Sequence, residues 1–357
     1  MKNLLSIIAL ILFLISCEVR KEINENRFTQ KDLPEKKLLK GFKYAYEGIL
    51  NPNGILLKDD YLVVSERNNI LDLKLHVIDV SKEEYLYAKG KDGIGPNEVN
   101  LVYSMDDVGE KNMIWTYDVE QRKFSKFDIS NSELLSEDEF RSPELDYFIT
   151  HATWTSDSTL LGGLVDGWEK FIHITKEGTL LNTFGSWRDN LEYYELPRGY
   201  KKEELDPNLV SSLFQAKIRG NISNGVYVLA GITTDYIEII DLKQGKSKLV
   251  IGPVGKMPDF EITYHLGYQM PAIKGPVKIQ YSDAFVGETS IFVLYVGMDL
   301  NKIFTSRIFQ LDFDGNFLNQ FELDYPILDF VIDEKLKIIY GVTADKEPNV
   351  VTFKYNQ

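Results

Sequence analysis

From Leu38 onward, apolar and polar positions alternate with a period of two over short runs, and each run ends in a polar turn. The clearest example runs from Ile308 to Phe321, where two alternating segments flank Asp314-Gly315, a pair suited to the positive φ angles of a tight hairpin turn. The same strand, turn, strand shape appears at Val77 to Tyr87, Lys126 to Leu135, Ile172 to Leu181 and Ile239 to Val250. A second strand type, rich in β-branched and aromatic residues, precedes each hairpin: Tyr61 to Val64, Met113 to Tyr117, Thr159 to Gly162, Val226 to Leu229, Ile291 to Tyr295 and Lys337 to Tyr340. A further short strand lies upstream of each, which gives four strands per unit.

Successive second strands start 52, 46, 67, 65 and 46 residues apart. The basic unit is therefore lengthened twice, by insertions at about Ser186 to Leu209 and Gly252 to Gly275. A four-strand unit of this period predicts the blades of a β-propeller. After Tyr340 only Val350 to Tyr355 remains, so the sixth unit is one strand short, while Leu38 to Tyr46 is a strand without a unit. The expectation is an all-β, six-bladed β-propeller over residues 38–357, four antiparallel strands per blade, with the N-terminal strand completing the last blade. The rival arrangement, two β-sandwiches, has no need of a first strand that complements a truncated last unit. A monomer is expected.

The N-terminus changes the picture. Met1-Lys2-Asn3 is a short basic start, and Leu4 to Ile15 is an apolar run shorter than the ~20 residues a membrane span needs, so residues 1–16 read as a signal peptide. The run ends in Leu14-Ile15-Ser16-Cys17, which resembles the lipobox of bacterial lipoproteins; Cys17, the sole cysteine, would be acylated and become the first mature residue. That implies a lipoprotein of the cell envelope, in the outer membrane, held to the lipid membrane through Cys17. Residues 17–37 read as a flexible polar tether. Glu18 and Glu22 resemble an export signal for the outer leaflet, but Arg20 and Lys21 interrupt them, so the periplasmic and surface faces both stay open.

A formal charge of -14 disfavours nucleic acid as a partner, and one cysteine excludes intramolecular disulfides and a Cys-based zinc site. The four histidines, His76, His151, His173 and His265, have no metal-ligand spacing, and no Gly-x-Ser-x-Gly turn is present. Asp312 to Asn316 is explained by a hairpin turn better than by a calcium loop. No cofactor, metal or catalytic residue is assigned.

Loops joining blades open on the same face as those joining strands two and three, and three unusual features fall there: both insertions and Gly90 to Glu98. In the last of these, Gly93, Gly95, Pro96 and Glu98 follow a Gly-x-Gly-Pro-x-Glu pattern, with Asn97 at the position before the Glu. With the lipobox and the six-unit count, this resembles the TolB-like six-bladed propeller lipoproteins, whose motif is commonly Gly-x-Gly-Pro-Gly-Glu. The resemblance implies fold and envelope location more than any activity. Gly93 to Glu98 are read either as shaping an inter-blade turn, with Glu98 capping backbone N–H groups, or as touching a ligand.

On the same rim, Asp118, Asp166, Asp235, Asp299 and Asp345 follow second strands. As a carboxylate ring around an axial channel they could hold a cation, as in propeller lactonases, which gives the alternative reading of a cation-dependent hydrolase. Aromatic residues support recognition instead: Trp154, Trp168, Trp187, Tyr193, Tyr194, Tyr264 and Tyr268 could line a rim pocket, whereas mid-strand Trp115 reads as core. Arg67 and Arg122, at the ends of second strands, complete the candidate set. The expected function is an envelope-anchored binding or scaffolding module for a protein, peptide or glycan, acting through its loop-rich face.

Overall fold

The computed structural model of the chain describes residues 26–67, 71–142, 148–299, 306–343 and 345–356. Six antiparallel sheets follow one another. Blade one comprises β3 (Pro52–Lys58), β4 (Tyr61–Glu66), β5 (Leu73–Asp79) and β6 (Glu84–Lys91), and blade two β7 (Ser104–Asp106), β8 (Met113–Asp118), β9 (Lys123–Asp128) and β10 (Asp138–Arg141). Blade three holds β11 (Ile149–Trp154), β12 (Thr159–Leu164), β13 (Glu169–Thr175) and β14 (Leu180–Ser186), and blade four β15 (Ala216–Asn221), β16 (Val226–Gly231), β17 (Tyr236–Asp241) and β18 (Lys246–Ile251). A separate hairpin, β19 (Phe260–His265) and β20 (Tyr268–Ile273), precedes blade five, which is β21 (Lys278–Val286), β22 (Ile291–Asp299), β23 (Arg307–Leu311) and β24 (Phe317–Leu323). Blade six has only β25 (Ile327–Asp333), β26 (Ile338–Thr343) and β27 (Val350–Lys354) from its own stretch of chain.

The six second strands predicted from periodicity are β4, β8, β12, β16, β22 and β26. Ring closure uses two strands where one was expected. β1 (Lys36–Leu39) adds to blade five as a fifth strand parallel to β24, and β2 (Gly41–Lys43) pairs antiparallel with β27 to complete blade six. Blade six thereby gains its fourth strand, and β1 and β2 become the outer strands of blades five and six.

Apolar side chains gather into six clusters, one at each blade junction. Val63, Val77 and Ile114 lie between blades one and two; Trp115, Phe124 and Trp154 between two and three; Val228, Val293 and Phe309 between four and five. Phe292, Phe330 and Phe353 join blades five and six, and Val64, Val331 and Val342 join six to one. Between blades three and four the cluster extends into the first insertion, taking in Trp187, Leu191, Leu209, Leu213 and Phe214. Local sequence makes that insertion helical. Ser186 caps the helix Trp187–Glu192 through Arg188 N, and Asp206 caps the helix Pro207–Leu213 through Leu209 N with Pro207 in the first turn.

Two expectations need correction. The hairpin expected at Lys126 to Leu135 takes its outer strand later, from Asp138, because the Leu134 carbonyl accepts hydrogen bonds from Gly90 N and Lys91 N and so belongs to the junction with blade one. The tether expected to run to residue 37 gives way to packed chain at residue 26. Phe28 is buried against Phe309 and Phe317, and its N–H bonds the Ile251 carbonyl. One large aromatic finding a groove between blades four and five is enough to dock a polar segment. Cys17 and the signal peptide lie outside the described residues.

Candidate functional site

The loop-rich rim is occupied mainly by its own hydrogen bonds. At Gly93 to Glu98 the Glu98 carboxylate pairs with Lys91 at 2.6 Å and accepts from Gly95 N at 3.0 Å, contacts that hold its pKa below the usual carboxylate range. A Cβ on Gly93 would fall 2.1 Å from Glu98 Oε2, which explains the glycine, and Asn97 has φ +59, the left-handed conformation that Asn tolerates. Pro96 lies in the turn between them. Beneath the loop, the buried Lys123 ammonium donates to the carbonyls of Gly95 and Glu98 and pairs with Glu139 at 3.3 Å.

The rim aspartates do not converge on the axis. Asp118 accepts from Leu101, Glu120 and Gln121 N–H groups, Asp166 from Phe148 N, and buried Asp235 from Val254 N and Gly255 N, so each closes its own loop. Asp345 pairs with Lys43 at 2.9 Å. Asp299 ends β22, and its side chain is outside the described residues. Burial raises the Asp235 carboxyl to about 6 against those backbone bonds. Arg67 is exposed, and the Arg122 guanidinium lies 4.8 Å from the Phe148 ring centre.

Among the candidate aromatics, Trp187 is buried and donates its indole N–H to the Leu164 carbonyl, so it staples the insertion to the blade instead of lining a pocket. Tyr194 and Trp154 are also buried. Trp168 is half-buried under the Arg188 guanidinium. Tyr264 and Tyr268 alone of this set stand well out into solvent.

The cavity lies on the axis. First strands follow one another around it, with β3 beside β7, β11 beside β15, β15 beside β21, and β25 beside both β21 and β3. They enclose a space of about 640 Å³, lined by Gly54 and Leu56, Ser104 and Asp106, Lys217 and Arg219, Phe285, and Asp329. Its wall continues through Gly109, Ser223 and Glu288, residues of the turns between first and second strands. It therefore opens on the face opposite the loop-rich rim.

Arg219 organises this cavity. From blade four its guanidinium reaches Asp283 of blade five at 2.8 Å and Asp329 of blade six at 3.3 Å, while Lys217 pairs with Asp283 at 3.2 Å. On the other side Thr153 donates to Asp106 at 2.8 Å. Burial pushes the Asp106 carboxyl up to about 6, against that hydrogen bond and the Arg219 charge. In the Asp283–Asp329 pair, burial disfavours charge on both. Arg219 and Lys217 nevertheless hold Asp283 low, and the negative charge of Asp283 adds to burial in driving Asp329 up. Buried Ser104 Oγ has no protein partner.

The carboxylates near the axis are thus other residues than those of the alternative cation-ring reading, and they carry their own cations. Among the described residues no group of three or more His, Cys, Asp or Glu is arranged to hold a metal ion. The axial aspartates had a sequence signal: each sits in a first strand and precedes the start of strand two by seven to nine residues, as Asp106 before Met113, Asp283 before Ile291 and Asp329 before Ile338. A carboxylate inside an apolar strand calls for a buried partner.

A family model described as TolB-like 6-blade propeller-like matches residues 28–335. The chain belongs to this family. The solved structures it resembles show the same fold at low identity. A member of the DUF4221 family from Bacteroides vulgatus aligns with 11% identity and a TM-score of 0.57, over 91% of this chain and 97% of that one. A putative exported protein from Bacteroides fragilis aligns with 13% identity and a TM-score of 0.51, over 93% and 99%. U3-55K gives 9% identity and a TM-score of 0.51, over 92% and 99%. No curated protein matches the chain.

Proposed function

We propose that this TolB-like chain is a lipid-anchored binding module of the bacterial outer membrane whose axial cavity takes a small, uncharged, polyhydroxylated ligand such as a saccharide unit. The observation that carries the reading is Arg219 held between Asp283 and Asp329 at the wall of a cavity of about 640 Å³, within the size range of small-molecule sites. The internal charges nearly compensate, so a charged ligand would leave one of them without its partner. Asp329, driven up by burial and by the Asp283 charge, can both donate and accept, while Asp106, raised only to about 6, accepts near neutral pH, and the two together suit hydroxyl groups. Leu56, Phe285 and Val331 supply apolar wall for the carbon face of a ring.

The reading moves the binding face from the loop-rich rim to the opposite one. The full chain melted with and without cellobiose, maltose or N-acetylglucosamine at tens of millimolar should gain thermal stability with at least one of them, and glucosamine and glucuronate should have less effect. A stabilising sugar should lose its effect in Ser223→Trp, which plugs the cavity mouth. No shift with any of the neutral sugars, or a shift that survives the plug, would overturn the axial site. Anchoring is tested separately: Cys17→Ala should move the protein out of the membrane fraction, and unchanged retention would count against acylation.

A further inference from the structure

The hairpin β19–β20 belongs to no blade. It is braced along its length: Phe260 at the base is buried and stacks on Tyr200 at 5.5 Å between ring centres, and Gln269, opposite Tyr264 beside the turn, exchanges backbone-to-side-chain hydrogen bonds of 3.1 and 2.9 Å with Asp206. The outward side chains of its tip are the reverse. Tyr264, Leu266 and Tyr268 are 70, 86 and 56% exposed, and Met270 also faces water. The two turn residues, Leu266 and Gly267, have φ of +49 and +91. This is the conformation of a tight hairpin turn in which Asn or Asp normally precedes Gly, because a leucine side chain is strained there. Leu266 is thus unfavourable twice, in its backbone and in its exposure, and nothing in the soluble fold repays either cost. Such an outlier on a braced scaffold points to an environment supplied from outside.

The N-terminal segment indicates which environment. Asn26 and Arg27 bond Tyr193, and Arg27 also bonds the Gly255 carbonyl, only five residues before the hairpin begins. Eight residues separate Asn26 from Cys17, and whatever their conformation the nine steps span at most about 30 Å. An acyl chain on Cys17 therefore holds this corner of the propeller close to the bilayer. A leucine flanked by tyrosines is the composition that settles at the membrane–water interface, apolar group inward and phenol at the headgroups.

We infer that the β19–β20 tip is a membrane foot: Tyr264, Leu266 and Tyr268 rest in the lipid interface and, with the acylated Cys17, fix the orientation of the propeller on the bilayer. The inference rests on the lipoprotein reading above. A lone hairpin tip buries too little apolar area to anchor a protein, and the lipid on Cys17 anchors without orienting, so the two contacts together give stable, oriented attachment. The axial cavity opens on the face opposite the insertions, which places its mouth away from the lipid.

The test uses the lipidated full chain in phosphatidylethanolamine–phosphatidylglycerol vesicles, with the N-terminal peptide weighed by mass spectrometry to establish acylation. An environment-sensitive NBD label is placed at Leu266→Cys or Tyr264→Cys and, for comparison, at Leu336→Cys, which is 63% exposed in a turn between first and second strands on the far face. Labels at 264 and 266 should brighten at least twofold with a blue shift and be quenched by doxyl-labelled lipid, while the label at 336 should stay water-like. If Cys17 is acylated and the labels at 264 and 266 behave like that at 336, the foot is wrong and the lipoprotein reading stands. A response at 264 and 266 only in native envelopes, absent from pure lipid, would assign the tip to a protein and overturn the lipid contact. An unmodified Cys17 removes the tether argument and sinks both readings together.

Discussion

Two sets of buried cations sit in this propeller, and they do different things. Lys74, Lys123 and Lys170 begin the third strands of blades one to three, each five residues before the strand-ending Asp79, Asp128 or Thr175. Their ammonium groups are enclosed. Lys74 pairs with Asp92 at 3.0 Å, Lys123 with Glu139 and two carbonyls, and Lys170 with both oxygens of Glu238 at 2.9 Å as well as with Asn190. Lys217 and Arg219 are paired as well, but 28 and 21% of their side chains stay exposed, in the cavity wall, beside carboxyls pushed away from their usual acidity. The fully closed Lys170–Glu238 pair fastens blade three to blade four, while Lys74–Asp92 and Lys123–Glu139 brace a blade against its own outer strand or exit loop. An open pair leaves hydrogen-bonding capacity facing a space large enough for a ligand.

The largest effect should therefore come from the closed set. Lys170→Met leaves Glu238 buried without its cation and is expected to cost about 3–5 kcal/mol in urea unfolding, the usual penalty for halving a buried ion pair. Replacing both partners, as Lys170→Met with Glu238→Gln, should recover part of it. A loss below about 1 kcal/mol in the single variant would show that the enclosed Lys170–Glu238 pair does not fasten the two blades, and the contrast with the axis would fail.

Much of the fold was legible in the sequence because a propeller repeats its own pattern. Six second strands, five hairpins and a final unit one strand short leave few ways to close a sheet ring, and β2 on β27 closes it. The site was less legible for a physical reason. Asp118, Asp166 and Asp235 stand out as acidic residues at strand ends, but strand two lies one strand out from the axis, so their carboxylates meet local N–H groups. Asp106, Asp283 and Asp329 sit in first strands, which the hairpin pattern does not mark, and the meeting of Asp283 and Asp329 with Arg219 depends on curvature that no local pattern encodes. Trp187 shows the same limit: an aromatic in a long insertion reads equally as ligand contact or staple until the helix that buries it is seen.

Arg219→Met sharpens the comparison from the open side. It should cost about 1–3 kcal/mol near neutral pH, less than the Lys170 variant because water in the cavity takes over some of the solvation of Asp283 and Asp329. The loss should also depend on pH. Arg219 keeps Asp283 ionised, a contribution present above the ordinary carboxylate range and lost as pH falls, so the gap between variant and parent should narrow in acid. A gap that stays constant between pH 6 and pH 3 would mean that the guanidinium acts by packing alone.

The smallest effect isolates one carboxyl. Asp106 is raised from 3.8 to about 6 by burial, with Arg219 and the Thr153 hydrogen bond opposing the shift and Asp107 adding to it. Between pH 4 and 6 the folded protein therefore keeps a proton that the unfolded chain has released. The sign follows: this group lowers stability as pH rises through that window, and the deficit persists above it. Asp106→Asn keeps an acceptor for Thr153 but cannot ionise, so it should match the parent near pH 4 and exceed it by about 1 kcal/mol at pH 7.5, a value reduced from the full shift because the cavity admits water. Nearby Tyr227, itself raised by burial and by the Asp106 charge, titrates far above the window and leaves the sign unchanged. Denaturant melts at pH 4, 6 and 7.5 read the difference directly. Parallel curves for the two proteins would place Asp106 in full contact with solvent, and the axial cavity would then lose one of its buried carboxyls.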